Sequence, residues 1–136
     1  MEVHGTWNGG FETQLDDDRG HRVTIDLPVD EGGRDVGTSA LELGMQSVAG
    51  CIITIFCLIA QRRQLSFTRL SLHLTVERSE GAPTVERVQG RLKVGTSASK
   101  DDVETALRLT LSTCPMGVLL TRADVPVEVT AEVLPK

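Results

Sequence analysis

The chain has 136 residues, 40% of them hydrophobic and 24% charged, with a formal net charge of −5. That length and composition fit a single domain spanning residues 1–136, with enough apolar material for a core that needs no disulfide or structural metal. One Trp, three Phe, no Tyr and no basic run leave no basic, stacking surface for nucleic acid.

The first 36 residues read as short strands and turns. Thr6-Trp7-Asn8-Gly9-Gly10 and Asp16-Asp17-Asp18-Arg19-Gly20 are rich in turn residues. Residues 11–15 and 21–27 lie between and after them. In the second run Val23, Ile25 and Leu27 alternate with Arg22, Thr24 and Asp26, the period of a half-buried strand. Pro28 stops it, and residues 30–37 form a glycine-rich loop.

Ser39-Ala40-Leu41-Glu42 has the S-x-x-E form of a capping box, predicting a helix that runs to residue 63 or 64. The segment is apolar nearly all round, from Leu43 and Met45 through Ile52, Phe56 and Ala60, so it must be buried in protein or in lipid. Residues 43–60 carry no charge and are long enough to be weighed as a membrane span. Gly44, Gln46, Ser47, Gly50 and Thr54 dilute the apolar density, and the flanking strands need a helix to cover them. The helix is therefore read as a core element with no membrane involved.

In residues 69–78, Leu70, Leu72, Leu74 and Val76 alternate with Ser71, His73, Thr75 and Glu77, which marks a strand. Residues 79–83 make a turn, and residues 85–94 read as its hairpin partner, with Gly90 placed as a bulge. Ser99 caps a second helix whose first turn holds Asp101 and Asp102. Val103, Ala106, Leu107 and Leu111 form its apolar stripe, and Pro115 ends it. Residues 125–133 alternate as a last strand, with Pro126 at its start or on a sheet edge. Strands, long helix, hairpin, second helix and strand give an α+β fold, with helices on one antiparallel sheet. A helix of about 25 residues is about 37 Å long. One small sheet cannot cover all of it, which predicts a homodimer packed around it.

Chemistry falls to the cysteines. The sequence holds no G-x-S-x-G, no P-loop and no G-x-G-x-x-G. His4, His21 and His73 are scattered and no C-x-x-C is present, so no metal site is expected. An odd count of cysteines (Cys51, Cys57, Cys114) and a polar first ten residues point to reduced thiols and a cytoplasmic protein. The nucleophile in thiol chemistry is the thiolate. Cys51 sits in an apolar helix and Cys114 at a helix C-terminus, two settings that disfavour a charged sulfur. Activation therefore has to come from a residue delivered by the fold, such as Arg19, Arg22, Arg34 or His21. Cys57, about 240° around the helix from Cys51, reads as a core residue.

The run from Gly37 to Leu43, followed by Val48-Ala49-Gly50-Cys51 and then Cys114-Pro115, resembles the OsmC/Ohr family of osmotically induced and organic hydroperoxide resistance proteins, its OsmC-like branch more closely. Asp26-Leu27-Pro28 with Gly32, Gly33 and Gly37 fits the family's approach to the long helix. The resemblance implies an intertwined α+β homodimer with the long helices at its centre and active sites at the subunit interface. It also implies an organic hydroperoxide as substrate, with Cys51 as peroxidatic and Cys114 as resolving thiol. A lipoyl-type dithiol reductant and no cofactor follow from the same resemblance. Two departures stand out. Peroxidase members of the family carry an arginine soon after an early Gly-Gly, where this chain has Phe11 after Gly9-Gly10. Glu42 lies nine residues before Cys51, half a turn away around the helix, and so reads as the cap. The departures leave a second reading, a dimer of weak or no activity that binds a small apolar ligand at the interface.

Overall fold

A computed structural model describes residues 1–135. Its elements, in chain order, are β1 (His4–Gly9), β2 (Glu12–Asp16), β3 (Arg22–Ile25), a 3₁₀ turn (Val29–Glu31), α1 (Ala40–Arg62), β4 (Arg69–Glu77), β5 (Arg87–Gly95), α2 (Lys100–Thr113), α3 (Pro115–Arg122) and β6 (Val127–Leu134). The fold is α+β, as expected. There are two three-stranded sheets where one was predicted, β1-β2-β3 and β4-β5-β6. The chain resolves into two compact units, Met1–Gln46 and Ser47–Lys136.

In the first unit, β1, β2 and β3 form an antiparallel meander. Paired residues share a face. Trp7, Thr13 and Ile25 therefore form one row, and Gly5, Leu15 and Val23 the next on the same side. The opposite face carries Thr6, Gln14 and Thr24. Beyond β3, buried Asp26 organises the glycine-rich loop. Its carboxylate accepts the backbone N–H of Leu27 (2.8 Å), Arg34 (2.9 Å) and Val36 (3.4 Å). Burial pushes this carboxyl's pKa up, but the three donated N–H groups outweigh it and hold the pKa below the usual range. Gly33 and Gly37 are needed here, because a Cβ at either would run into the backbone of Leu27 or Thr24.

The capping box forms as the sequence predicts. The Ser39 N–H donates to Glu42 Oε2 at 2.8 Å, and the Glu42 N–H returns to Ser39 Oγ at 3.3 Å. α1 is long and apolar enough to cross a membrane by length and composition alone. Its burial within this chain is narrower than predicted. Only Val48, Ile52, Phe56 and Ala60, an i, i+4 stripe, are buried, and Leu58 is 44% exposed.

In the second unit that stripe joins the core. Phe56 and Ala60 cluster with Leu92 and Val94 of β5 and with Val103, Ala106 and Leu107 of α2. The Phe56 and Phe67 rings lie 6.2 Å apart in a tilted pair. β5 supplies the fully buried strand residues, Val88, Leu92 and Val94, because it is the central strand. Gly90 is not a bulge: pairing with β4 runs without a slip from Arg69 to Glu77. Gly90 faces Leu74, whose side chain fills the space a Cβ would take.

Two further expectations are corrected. β6 pairs parallel to β5, so this sheet is mixed. The connection between them is long enough to carry α2 and α3 across, as a parallel pair requires. β6 is an edge strand, preceded by Pro126, whose carbonyl accepts the Val88 N–H at 3.0 Å. Pro115 does stop α2, but it also opens a third helix at the first helical position, where a missing N–H costs nothing.

Candidate functional site

Cys51 and Cys114 are 63 residues apart in sequence, yet Cys114 Sγ donates to Cys51 Sγ at 2.9 Å. Both are free thiols, and the separation exceeds the S–S bond length of about 2.05 Å. Cys51 lies on α1 beside the buried stripe and is half-buried. Cys114 is fully buried. A bridge between the two would need a sulfur displacement of under about 1 Å.

Cys114 is the single residue between α2 and α3. It ends α2, its N–H bonding Thr110 O at 2.8 Å, and it caps α3. The following proline disfavours helical geometry, and Cys114 takes an extended conformation with φ −64° and ψ 115°. Its Sγ thereby meets the first turn of α3 and accepts the Gly117 N–H at 3.4 Å. Burial pushes the Cys114 thiol pKa up, and its hydrogen bond to Cys51 adds to this. The Gly117 N–H works the other way. In the sequence Cys114 reads as a helix C-terminus only. The apolar run after Pro115 was the available sign of the helix whose positive end it also meets.

The basic residues considered as activators all lie in the first unit. Arg19 and His21 both bind Asp17, at 2.7 Å and 2.8 Å. The His21 contact leads a set of donors that holds the Asp17 carboxyl well below the usual carboxylate range. Arg34 pairs with Glu12. Arg22 is exposed on β3, opposite Asp16 in register. Phe11, where the resemblance places an arginine, is 55% exposed after the β1–β2 turn. Glu42 is a saturated cap. Its Oε2 accepts the Ser39 N–H, the Ser39 hydroxyl (2.8 Å) and the Thr38 hydroxyl (3.0 Å), which together lower its pKa. Cys57 is half-buried, six residues along α1 from Cys51 and on a different face. Among the described residues the one cluster spaced like metal ligands is Glu2, His4 and Asp18, all exposed.

The profile of the family described as OsmC-like protein matches residues 32–130. No functionally curated protein matches the sequence. Several solved structures share the fold. An OsmC-like protein from Mycoplasma pneumoniae superposes with a TM-score of 0.86 at 15% identity, covering 98% of this chain and 96% of its own. An organic hydroperoxide resistance protein OsmC from Legionella pneumophila gives 0.72 at 16% identity, covering 98% of each chain. The organic hydroperoxide resistance protein OhrB of Bacillus subtilis gives 0.65 at 17% identity, covering 96% of each.

Proposed function

The chain belongs to the OsmC-like protein family, and on that premise we propose that it reduces organic hydroperoxides with two cysteines, Cys51 attacking and Cys114 resolving. The observation that carries this reading is the 2.9 Å approach of a half-buried sulfur to a fully buried one. Cys51, the less buried residue of the two, is therefore read as the thiol that meets the peroxide, and Cys114 as the thiol held behind it. The neighbours named for organic hydroperoxide resistance support the substrate class.

The Cys51 thiolate attacks one peroxide oxygen. The O–O bond breaks, the sulfur keeps that oxygen as a sulfenic acid, and the alkoxide leaves as alcohol after taking a proton. The Cys114 thiol then displaces the hydroxyl. The S–S bond forms, the S–O bond breaks, and the hydroxide leaves as water with the Cys114 proton. A dithiol reductant, lipoyl-type in the family, returns both sulfurs to thiols by exchange. Neither step calls for a metal or a flavin.

We read residues 1–136 as one domain of a cytoplasmic homodimer. Two apolar surfaces support a second copy. One is the side of the first sheet that bears Trp7, 71% exposed, and Val23, 41% exposed. The other is the flank of α1 that bears Leu58.

Phe11 favours a second reading, a dimer that binds a small apolar ligand and turns over slowly or not at all. Peroxide consumption separates the two. With tert-butyl hydroperoxide and dihydrolipoamide, the reductase reading expects turnover that Cys51→Ser abolishes. No turnover by a fully reduced dimer would favour the ligand-binding reading.

A further inference from the structure

The sulfur of Cys114 occupies a helix N-cap, a position that proteins ordinarily give to the oxygen of Ser, Thr, Asp or Asn. Pro115 helps set the extended backbone that the cap requires, and the Cys114 carbonyl accepts the Val118 N–H at 2.9 Å, closing the first turn of α3 beneath it. The Gly117 N–H points at the sulfur from 3.4 Å, and Gly117 is itself buried. A neutral thiol is a weak acceptor for such a donor, whereas an ionised acceptor makes a hydrogen bond about twice as strong. The contact is therefore weak at rest and strengthens as negative charge develops on Cys114 Sγ. A group that binds the reacting state better than the resting state lowers the barrier between them.

Resting on the two-cysteine reading above, we propose that the Gly117 N–H at the start of α3 is a positioning donor for the resolving step. It holds the Cys114 sulfur against Cys51 and takes up the charge which that sulfur carries as the S–S bond forms. The balance is that of the condensation already given: the S–O bond of the Cys51 sulfenic acid breaks, the S–S bond forms, and the Cys114 proton leaves with the hydroxide as water. The first oxidation, at Cys51, does not use this donor. The two steps should therefore respond differently to its loss.

The test compares Gly117→Pro with Gly117→Ala in a Cys57→Ser background. Both add a Cβ at the same place, 3.6 Å from Cys114 Sγ, and proline also replaces the N–H with a ring carbon that faces the sulfur. Proline is tolerated in a first turn because N–H groups there have no helical acceptor. After mixing with tert-butyl hydroperoxide, Cys51 sulfenic acid should form at equal rates in the two variants. Disulfide formation should be about tenfold slower in Gly117→Pro, with its pH midpoint moved upward. Equal disulfide rates, or both steps slowed alike, would overturn the proposal.

A Cys51→Ser/Cys57→Ser protein separates this result from failure of the peroxidase reading. The ultraviolet thiolate signal of its Cys114 should titrate at higher pH in Gly117→Pro than in Gly117→Ala, whether or not peroxide reacts. Should the proline variant not fold, the Gly117 amide signal in that same protein can be followed by NMR. Movement with the Cys114 midpoint is expected, and an amide indifferent to that titration would overturn the assignment.

Discussion

Cys114 is buried and Cys51 is only half-buried, and in the proposed two-cysteine mechanism that difference gives them different tasks. The buried thiol favours its neutral form, so its ionisation opposes folding. Its folded pKa lies above the unfolded one, near 8.5. The stability it contributes is whole below that value and is lost as pH rises through the folded pKa. Under reducing conditions, the melting temperature should therefore fall with alkaline pH more steeply in the parent protein than in Cys114→Ser. Parallel slopes would show that Cys114 is not held neutral by the fold. Both cysteines stood out in the sequence, but what joins them did not. Spacing puts Cys51 mid-helix and Cys114 at a helix end, and the approach of two sulfurs 63 residues apart is a tertiary fact that only the family resemblance anticipated.

Local signals read well at the scale of single elements because their partners lie within a few residues. Ser39 and Glu42 form the reciprocal cap that their spacing predicts. Ser39→Ala should cost about 1 kcal/mol, or about 3 °C in melting temperature for a chain of this size. No change in a thermal melt would mean that Glu42 and Thr38 hold the helix start without it. The alternation of β4 was legible for the same reason. The parallel pairing of β6 was not, since strand direction depends on where α2 and α3 carry the chain. Gly90 looked like a bulge because sequence reports the missing side chain and not the Leu74 side chain that uses the room. Pro115 looked like a stop because the same residue type both ends one helix and begins the next.

At the scale of the whole molecule, a single chain leaves apolar surface in water. The apolar side of the β1-β2-β3 sheet carries Trp7 and Val23, and α1 leaves Leu58 exposed on the side opposite its buried stripe. Light scattering should report a dimer, and Leu58→Asp should shift it toward monomer while leaving the helical signal in place. A monomeric parent protein would remove the reason for reading these surfaces as an interface. Phe11 belongs to this scale too. It is an exposed aromatic side chain at the position where the family resemblance implies an arginine.

Disulfide mapping reports whether Cys51 and Cys114 act as an ordered pair. The reduced protein is treated with one equivalent of tert-butyl hydroperoxide, quenched, and its thiols and bridges are identified by mass spectrometry. A rapidly formed Cys51–Cys114 bridge is predicted, with Cys57 left as a thiol and with sulfenic acid persisting on Cys51 when Cys114 is replaced by serine. Unchanged thiols, or oxidation confined to Cys57, would contradict it.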